Sequence, residues 1–139
     1  MRALVIVWAG LLALNVAGSA VAVPSAGPFK PDASRGEQVY TRCLACHTLA
    51  FDRVGPHHCG LFGRLAGSVP GADYSAAMKR SGIVWDEKTL DRFLAAPMKV
   101  VPGTSMTYDG VTDAKDRADL IAYLKRVNQT PECGRPSSK

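Results

Sequence analysis

No segment of this chain alternates apolar and polar residues with a convincing period of two, so nothing in it reads as a half-buried strand. Aromatic residues make up only 7% of the 139, and Lys and Arg form no dense stripe. The stacking platform and basic track of a nucleic-acid binder are therefore missing. No acid/base or nucleophile constellation stands out, so side-chain catalysis has no obvious carrier. Cysteines number four, and Cys59 and Cys133 lie too far apart to form the second close pair that a structural zinc site needs. Without strands there is also no βαβ setting for a thioredoxin-like redox motif.

What is present begins with a leader. Met1-Arg2 is a short positive start, Ala3 to Val16 is almost unbroken apolar sequence, and Ala20-Val21-Ala22 offers the small residues that signal peptidase prefers. The expectation is a signal peptide over 1–22, cleaved near Ala22, and export to the periplasm. The apolar run is short for a membrane span, although retention as an anchor is the alternative. No cysteine near the cut marks a lipoprotein. Cleavage removes Arg2 and leaves one positive charge fewer than the +5 of the whole chain. A mildly basic exported protein fits acidic docking partners.

Residues 23–32 carry Pro24, Pro28 and Pro31 and read as a flexible leader. The remaining length suits one domain, 33–130, with a tail over 131–139. A first helix is expected from Ala33 to Cys46, with Val39 and Tyr40 toward the core. Phe51 to Gly71 is rich in Gly and Pro and reads as loop. A short helix over Ser75–Ser81 should end at Gly82 as a left-handed C-cap. Asp86 looks like the N-cap of a helix with Leu90, Phe93 and Leu94 on one face and Pro97 at its stop. Val100–Gly110 is again loop. The clearest helix is Asp113 to Val127, with Leu120, Ile121, Leu124 and Val127 at helical spacing and Asp113 and Asp116 at its positive end. The expected class is all-α, with three to five helices. So loop-rich a domain has a thin core.

Cys43-Leu44-Ala45-Cys46-His47 carries the chemistry. Two thiols three residues apart, followed at once by histidine, form the attachment pattern for c-type heme. The sulfurs can bond the two vinyl groups on one edge of a porphyrin, and His47 then falls where its imidazole can ligate iron. A bare CxxC would also admit zinc or thiol redox chemistry. One heme c, bound through Cys43 and Cys46, is the expected cofactor, and it would supply the apolar mass that the side chains do not. A sixth ligand of high-potential type is usually methionine. Met78, Met98 and Met106 are the choices in the mature chain, and Met106 closes the loop Pro102-Gly103-Thr104-Ser105-Met106.

CxxCH, then Gly55-Pro56, Gly60-Leu61-Phe62-Gly63-Arg64, Trp85, the PGTSM loop and the Leu120-to-Leu124 helix follow in an order that resembles class I cytochrome c. The resemblance covers about Gly36 to Val127. It implies heme wrapped by helices, His47 as proximal ligand and Met106 as distal ligand. It implies that the Pro56 carbonyl accepts the other N–H of His47, a bond that orients a ligand and strengthens it as a donor. Arg64, Tyr74, Trp85 and Thr104 match positions around the heme propionates. The first and last helices would cross near Gly36 and Tyr40 against Leu120 and Tyr123.

The chain also departs from that pattern. Phe93 stands where a tyrosine is frequent, and Ser105 and Met98 replace basic positions. Arg42, Arg53, Lys79 and Lys99 are left to ring the exposed heme edge. His58 stands where leucine is usual, near the proximal side. His57-His58-Cys59 could be read as a metal site, but adjacent residues rarely point at one ion. With Cys43 and Cys46 consumed by heme, Cys59 and Cys133 remain as a disulfide pair in an oxidising compartment.

The function expected is a monomeric periplasmic electron carrier, not an enzyme, with no nucleic-acid partner. Its redox partners would be drawn from a cytochrome bc complex, a terminal oxidase, a reaction centre or a periplasmic dehydrogenase. Two alternatives stay open: a dedicated subunit of one dehydrogenase or oxidase, and a heme peroxidase or sensor with a labile sixth ligand.

Overall fold

The computed structural model describes residues 29–134. The signal peptide expected over 1–22, most of the leader and the end of the tail therefore lie outside the described residues. Within them the chain is helical: α1 (Ala33–Tyr40), α2 (Ala76–Arg80), α3 (Glu87–Ala95), α4 (Pro97–Val100), α5 (Ala114–Val127) and α6 (Pro131–Gly134). The only β pairing among the described residues is an isolated antiparallel bridge between Leu65 and Val84.

Local chemistry sets most of these ends. Asp32 caps α1, its carboxylate accepting from the backbone of Ser34 and Arg35. Ser75 caps α2 by accepting from Met78 N–H, and Gly82 beyond its end takes φ +65°. Asp86 and Thr89 form a reciprocal capping box on α3. Asp113 caps α5 by accepting from Asp116 N–H.

The first helix is shorter than expected. Its α-helical part stops at Tyr40, and Thr41–Cys43 tightens into a 3-10 turn. Thr41 Oγ1 donates to the Gln38 carbonyl, a side-chain competition for backbone acceptors that periodicity does not reveal. The six helices of the described residues are one more than the three to five expected, and the two unforeseen ones, α4 and α6, are short. Pro97 ends α3 but also opens α4 as its first residue, because its missing N–H costs nothing there. Pro131 sits at the start of α6 in the same way.

The frame is α1 crossed on α5. Gly36 lies at the crossing, where a Cβ would stand 1.9 Å from the Asp119 carbonyl oxygen and 2.8 Å from Tyr123 Cβ. No other residue fits that approach. Asp119 is fully buried beside it and accepts from Asp32 N–H at 2.6 Å, Arg35 Nε at 2.8 Å and Lys115 Nζ at 3.2 Å. A buried carboxylate is tolerable only with such partners. Burial pushes the Asp119 carboxyl up, but these hydrogen bonds outweigh it and hold it below its ordinary value. Val39, Tyr40, Leu120, Ile121 and Leu124 complete the contact and run into the core with Leu90, Phe93 and Leu94. Each fully buried large apolar side chain stabilises by about 1.5–3 kcal/mol.

Candidate functional site

A cleft of about 400 Å³ opens between the CxxCH turn, α3 and the loop after α4. Its wall includes Cys43, Cys46, His47, Pro56, Arg64, Tyr74, Trp85, Thr104 and Met106, so every residue singled out for heme from the sequence faces one cavity. Leu90, Phe93 and Leu94 from α3 and Leu120 and Leu124 from α5 make most of the rest apolar. Met78 also faces the cleft, while Met98 is more than half exposed and does not line it.

The CxxCH segment folds as one turn. The N–H groups of Cys46 and His47 both donate to the Cys43 carbonyl, at 3.1 and 2.9 Å. This places both thiols and the imidazole on the cleft side. His47 Nδ1–H donates to the Pro56 carbonyl oxygen at 2.7 Å, which leaves Nε2 as the free ring nitrogen. Gly55 is pressed so close that a Cβ would stand 2.3 Å from His47 Cε1. Burial lowers the imidazole pKa, and the Pro56 bond offsets part of that shift.

The residues 57–59 go three ways, not to one ion. His57 donates from Nδ1 and from its backbone N–H to Asp52 Oδ1, each at 2.7 Å. Burial pushes the Asp52 carboxyl up, but the His57 hydrogen bonds bring it below its ordinary value. The His58 ring shares a 3.0 Å hydrogen bond with the Tyr40 hydroxyl. Cys59 is bonded to Cys133, S–S 2.03 Å. Among the described residues no group of three or more His, Cys, Asp or Glu is arranged to hold a metal ion.

Arg64 tests whether the cleft suits a heme. Its two terminal nitrogens donate to the carbonyls of Cys59 and His57 at 3.0 and 2.8 Å, while Nε is buried without a partner. No carboxylate among the described residues pairs with it. A buried donor on a cation calls for an anionic acceptor, and a heme propionate is one. Two thiols, a free imidazole nitrogen, an apolar wall and that orphaned donor together fit the group.

On the other wall, Thr104 Oγ1 accepts from Met106 N–H at 3.2 Å, and Thr104 N–H donates to the Val101 carbonyl at 3.0 Å. Trp85 packs on Phe93 with ring centroids 5.1 Å apart. Its backbone exchanges bonds with Gly63 and Arg64 at 2.8 and 3.0 Å, which fixes Arg64 beneath the cleft. Of the four basic residues expected at the heme edge, Arg42 is paired with Asp116 and Arg53 donates to the Leu44 carbonyl. Lys79 and Lys99 are exposed.

Sequence reasoning missed three contributors. Asp119 and the contact between Gly55 and His47 depend on close approaches that no periodicity reports. The third is the imidazole of His58, which stacks on that of His47 at 4.5 Å between centroids, 20° from parallel.

A small all-helical scaffold with a CxxCH turn at an apolar cleft defines a heme c protein. The cytochrome c family profile matches residues 33–128. The chain is 43% identical over 114 residues to cytochrome c2 of Rhodomicrobium vannielii, a match that spans 80% of this chain and 91% of that protein. It is 45% identical over 100 residues to cytochrome c2 of Blastochloris viridis, spanning 70% and 79%. Among solved structures, cytochrome cH from Methylobacterium extorquens superposes with a TM-score of 0.66 at 44% identity, covering 68% of this chain and 98% of that one. The chain belongs to the cytochrome c family, as a class I member, and it carries one heme c through Cys43 and Cys46. It is an electron-transfer heme protein.

Proposed function

We propose that this protein is an exported single-electron carrier in which His47 and Met106 are the axial ligands of the heme iron. The observation that carries the reading is the Pro56 bond to His47 Nδ1, which presents Nε2 to the same cleft that Met106 lines. Bound heme supplies one-electron chemistry at its iron. His47 is held as a neutral donor in one tautomer by the Pro56 carbonyl. Met106 supplies a thioether, a ligand that raises the potential relative to a second imidazole. Arg64 would offer its unpartnered Nε–H to a propionate, and Tyr74, Trp85 and Thr104 line the same cleft. Leu90, Phe93 and Leu94 line the cleft and would exclude water from the bound heme. His47 and Met106 would leave no open position for a substrate at the iron, which supports a carrier rather than an enzyme.

The apolar leader and small-residue cleavage site at 1–22 support export, and a Cys59–Cys133 disulfide suits the periplasm. No helix among the described residues is long and apolar enough to cross a membrane. Partners would be a cytochrome bc complex, a terminal oxidase, a reaction centre or a periplasmic dehydrogenase, met in brief encounters of small area. Half-exposed Arg42 at the cleft and the exposed Lys79 and Lys99 would give only a thin positive rim, so docking should weaken with salt less steeply than for a lysine-ringed carrier.

The visible spectrum of the oxidised holoprotein tests the ligand pair. A weak far-red sulfur-to-iron band, lost in Met106→Ala while the heme stays attached, is the expected result. A high-spin spectrum without that band in the unsubstituted protein would overturn the reading.

A further inference from the structure

Among the described residues, one imidazole lines the cleft without being among the proposed iron ligands. His58 lies face to face with His47, and both of its ends are fixed. Its ring shares the 3.0 Å bond with Tyr40, whose own ring packs on Tyr123 of α5 at 5.2 Å between centroids. Its backbone donates to the Thr48 carbonyl at 3.0 Å and accepts from Asn128 Nδ2 at 3.1 Å. His58 is thus a flat wall, hydrogen-bonded at both ring and backbone, 4.5 Å from the His47 ring. Gly55 closes another approach to the same ring, with no room for even a methyl group.

We infer that His58 is a positioning residue that sets the rotational angle of the proximal imidazole. The Pro56 bond fixes Nδ1 in place but tolerates some rocking of the ring, because carbonyl acceptors have broad angular preferences. Rotation of His47 about its Cβ–Cγ bond brings its face or edge against His58 on one side and Gly55 on another. A planar ring limits that rotation more sharply than an aliphatic side chain of similar volume. The angle of the imidazole plane decides which iron orbital it overlaps, and neighbours of a ligand tune a metal in this way. The chain of contact runs from α5 through Tyr123, Tyr40 and His58 to His47, so the helix frame itself aims the ligand. This inference rests on His47 being the proximal ligand.

The test uses the full holoprotein with His58→Leu, His58→Phe and Tyr40→Phe. The readouts are the heme methyl shifts in the proton NMR spectrum of the ferric form and the midpoint potential. His58→Leu should reorder or spread the methyl shifts and move the potential. His58→Phe keeps a flat face and should stay nearer the parent. Tyr40→Phe, which frees the His58 ring without removing it, should give a smaller change of the same sense as His58→Leu. A parent-like methyl pattern in His58→Leu overturns the inference, as does a His58→Phe pattern displaced as far as that of His58→Leu. If His58→Leu fails to fold, an unchanged pattern in Tyr40→Phe overturns it instead. The parent spectrum separates the two levels. Without an upfield methionine methyl signal the Met106 assignment falls and the inference about His47 is judged by the variants, whereas that signal with unresponsive variants removes the inference alone.

Discussion

Around His47 the structure places a carbonyl at 2.7 Å, a stacked imidazole at 4.5 Å and a glycine with no space for a Cβ, whereas the turn at Met106 is set by one 3.2 Å bond from its N–H to Thr104. The loop over 48–61 is pinned along its length. Gly55, His58 and Cys59 donate to the carbonyls of Cys46, Thr48 and Leu49 at 2.8, 3.0 and 2.7 Å. Asn128 receives Leu61 N–H and reaches the His58 carbonyl, and Cys133 holds Cys59. The loop over 101–110 is anchored mainly at its ends. Thr104 N–H meets Val101, and Gly110 sits where a Cβ would strike the carbonyls of Leu94 and Ala95 at 2.8 and 2.7 Å. On the proposed ligand pair the difference assigns separate tasks: the His47 side defines geometry, and the Met106 side is the part that can yield. Local opening begins where few bonds and little burial hold the backbone.

Removing the Cys59–Cys133 bond should blur that contrast most. Replacing both cysteines by serine frees a closed loop with a sequence separation of 74 residues, and loop entropy puts the loss near ~4 kcal/mol. A urea melt of the holoprotein measures it, and the proximal amides should lose more protection than the distal ones. Gly55→Ala attacks the same side from within, because its methyl must displace the His47 ring. Overpacking of that kind costs about 3 kcal/mol, with an altered ferric spectrum as the second readout.

Asp119→Asn tests whether the helix frame is a separate source of stability. It weakens the charge-assisted bonds from Arg35 and Lys115 and should cost about 2 kcal/mol at neutral pH. The folded carboxyl lies below its ordinary value. Its contribution is therefore complete above the unfolded aspartate value of about 3.9 and is lost as pH falls through the lower folded value. The acid limb of the stability profile should flatten in the variant. The smallest effect belongs to the distal loop. Thr104→Val removes the acceptor for Met106 N–H at about 1 kcal/mol, and it should weaken the far-red band while leaving proximal amide protection as in the parent.

Much of this contrast was invisible in the sequence, for definable reasons. Gly82, Asp86 and Asp113 could be read as helix ends because a cap is settled by residues within one turn. The Cys43–His47 turn was legible because covalent attachment demands fixed residue types at adjacent positions. The join of Cys59 to Cys133 is the one that remains once heme has taken the other two thiols. The stop of α1 at Tyr40 was not legible, since it depends on where a single threonine hydroxyl turns. The resemblance put His58 near the proximal side, but its stack on His47 was not legible, because it follows from how the loop over 48–61 folds back on its own carbonyls. Asp119 sits among apolar neighbours on α5 and reads as a solvated position until Gly36 brings α1 against it.

Native-state hydrogen exchange on the oxidised holoprotein tests the asymmetry most directly. The account predicts that the amides of Gly55, His58, Cys59 and Leu61 exchange only through large openings, well after those of Thr104 and Met106. Equal protection on the two loops, or faster exchange around His58 than around Met106, would contradict it.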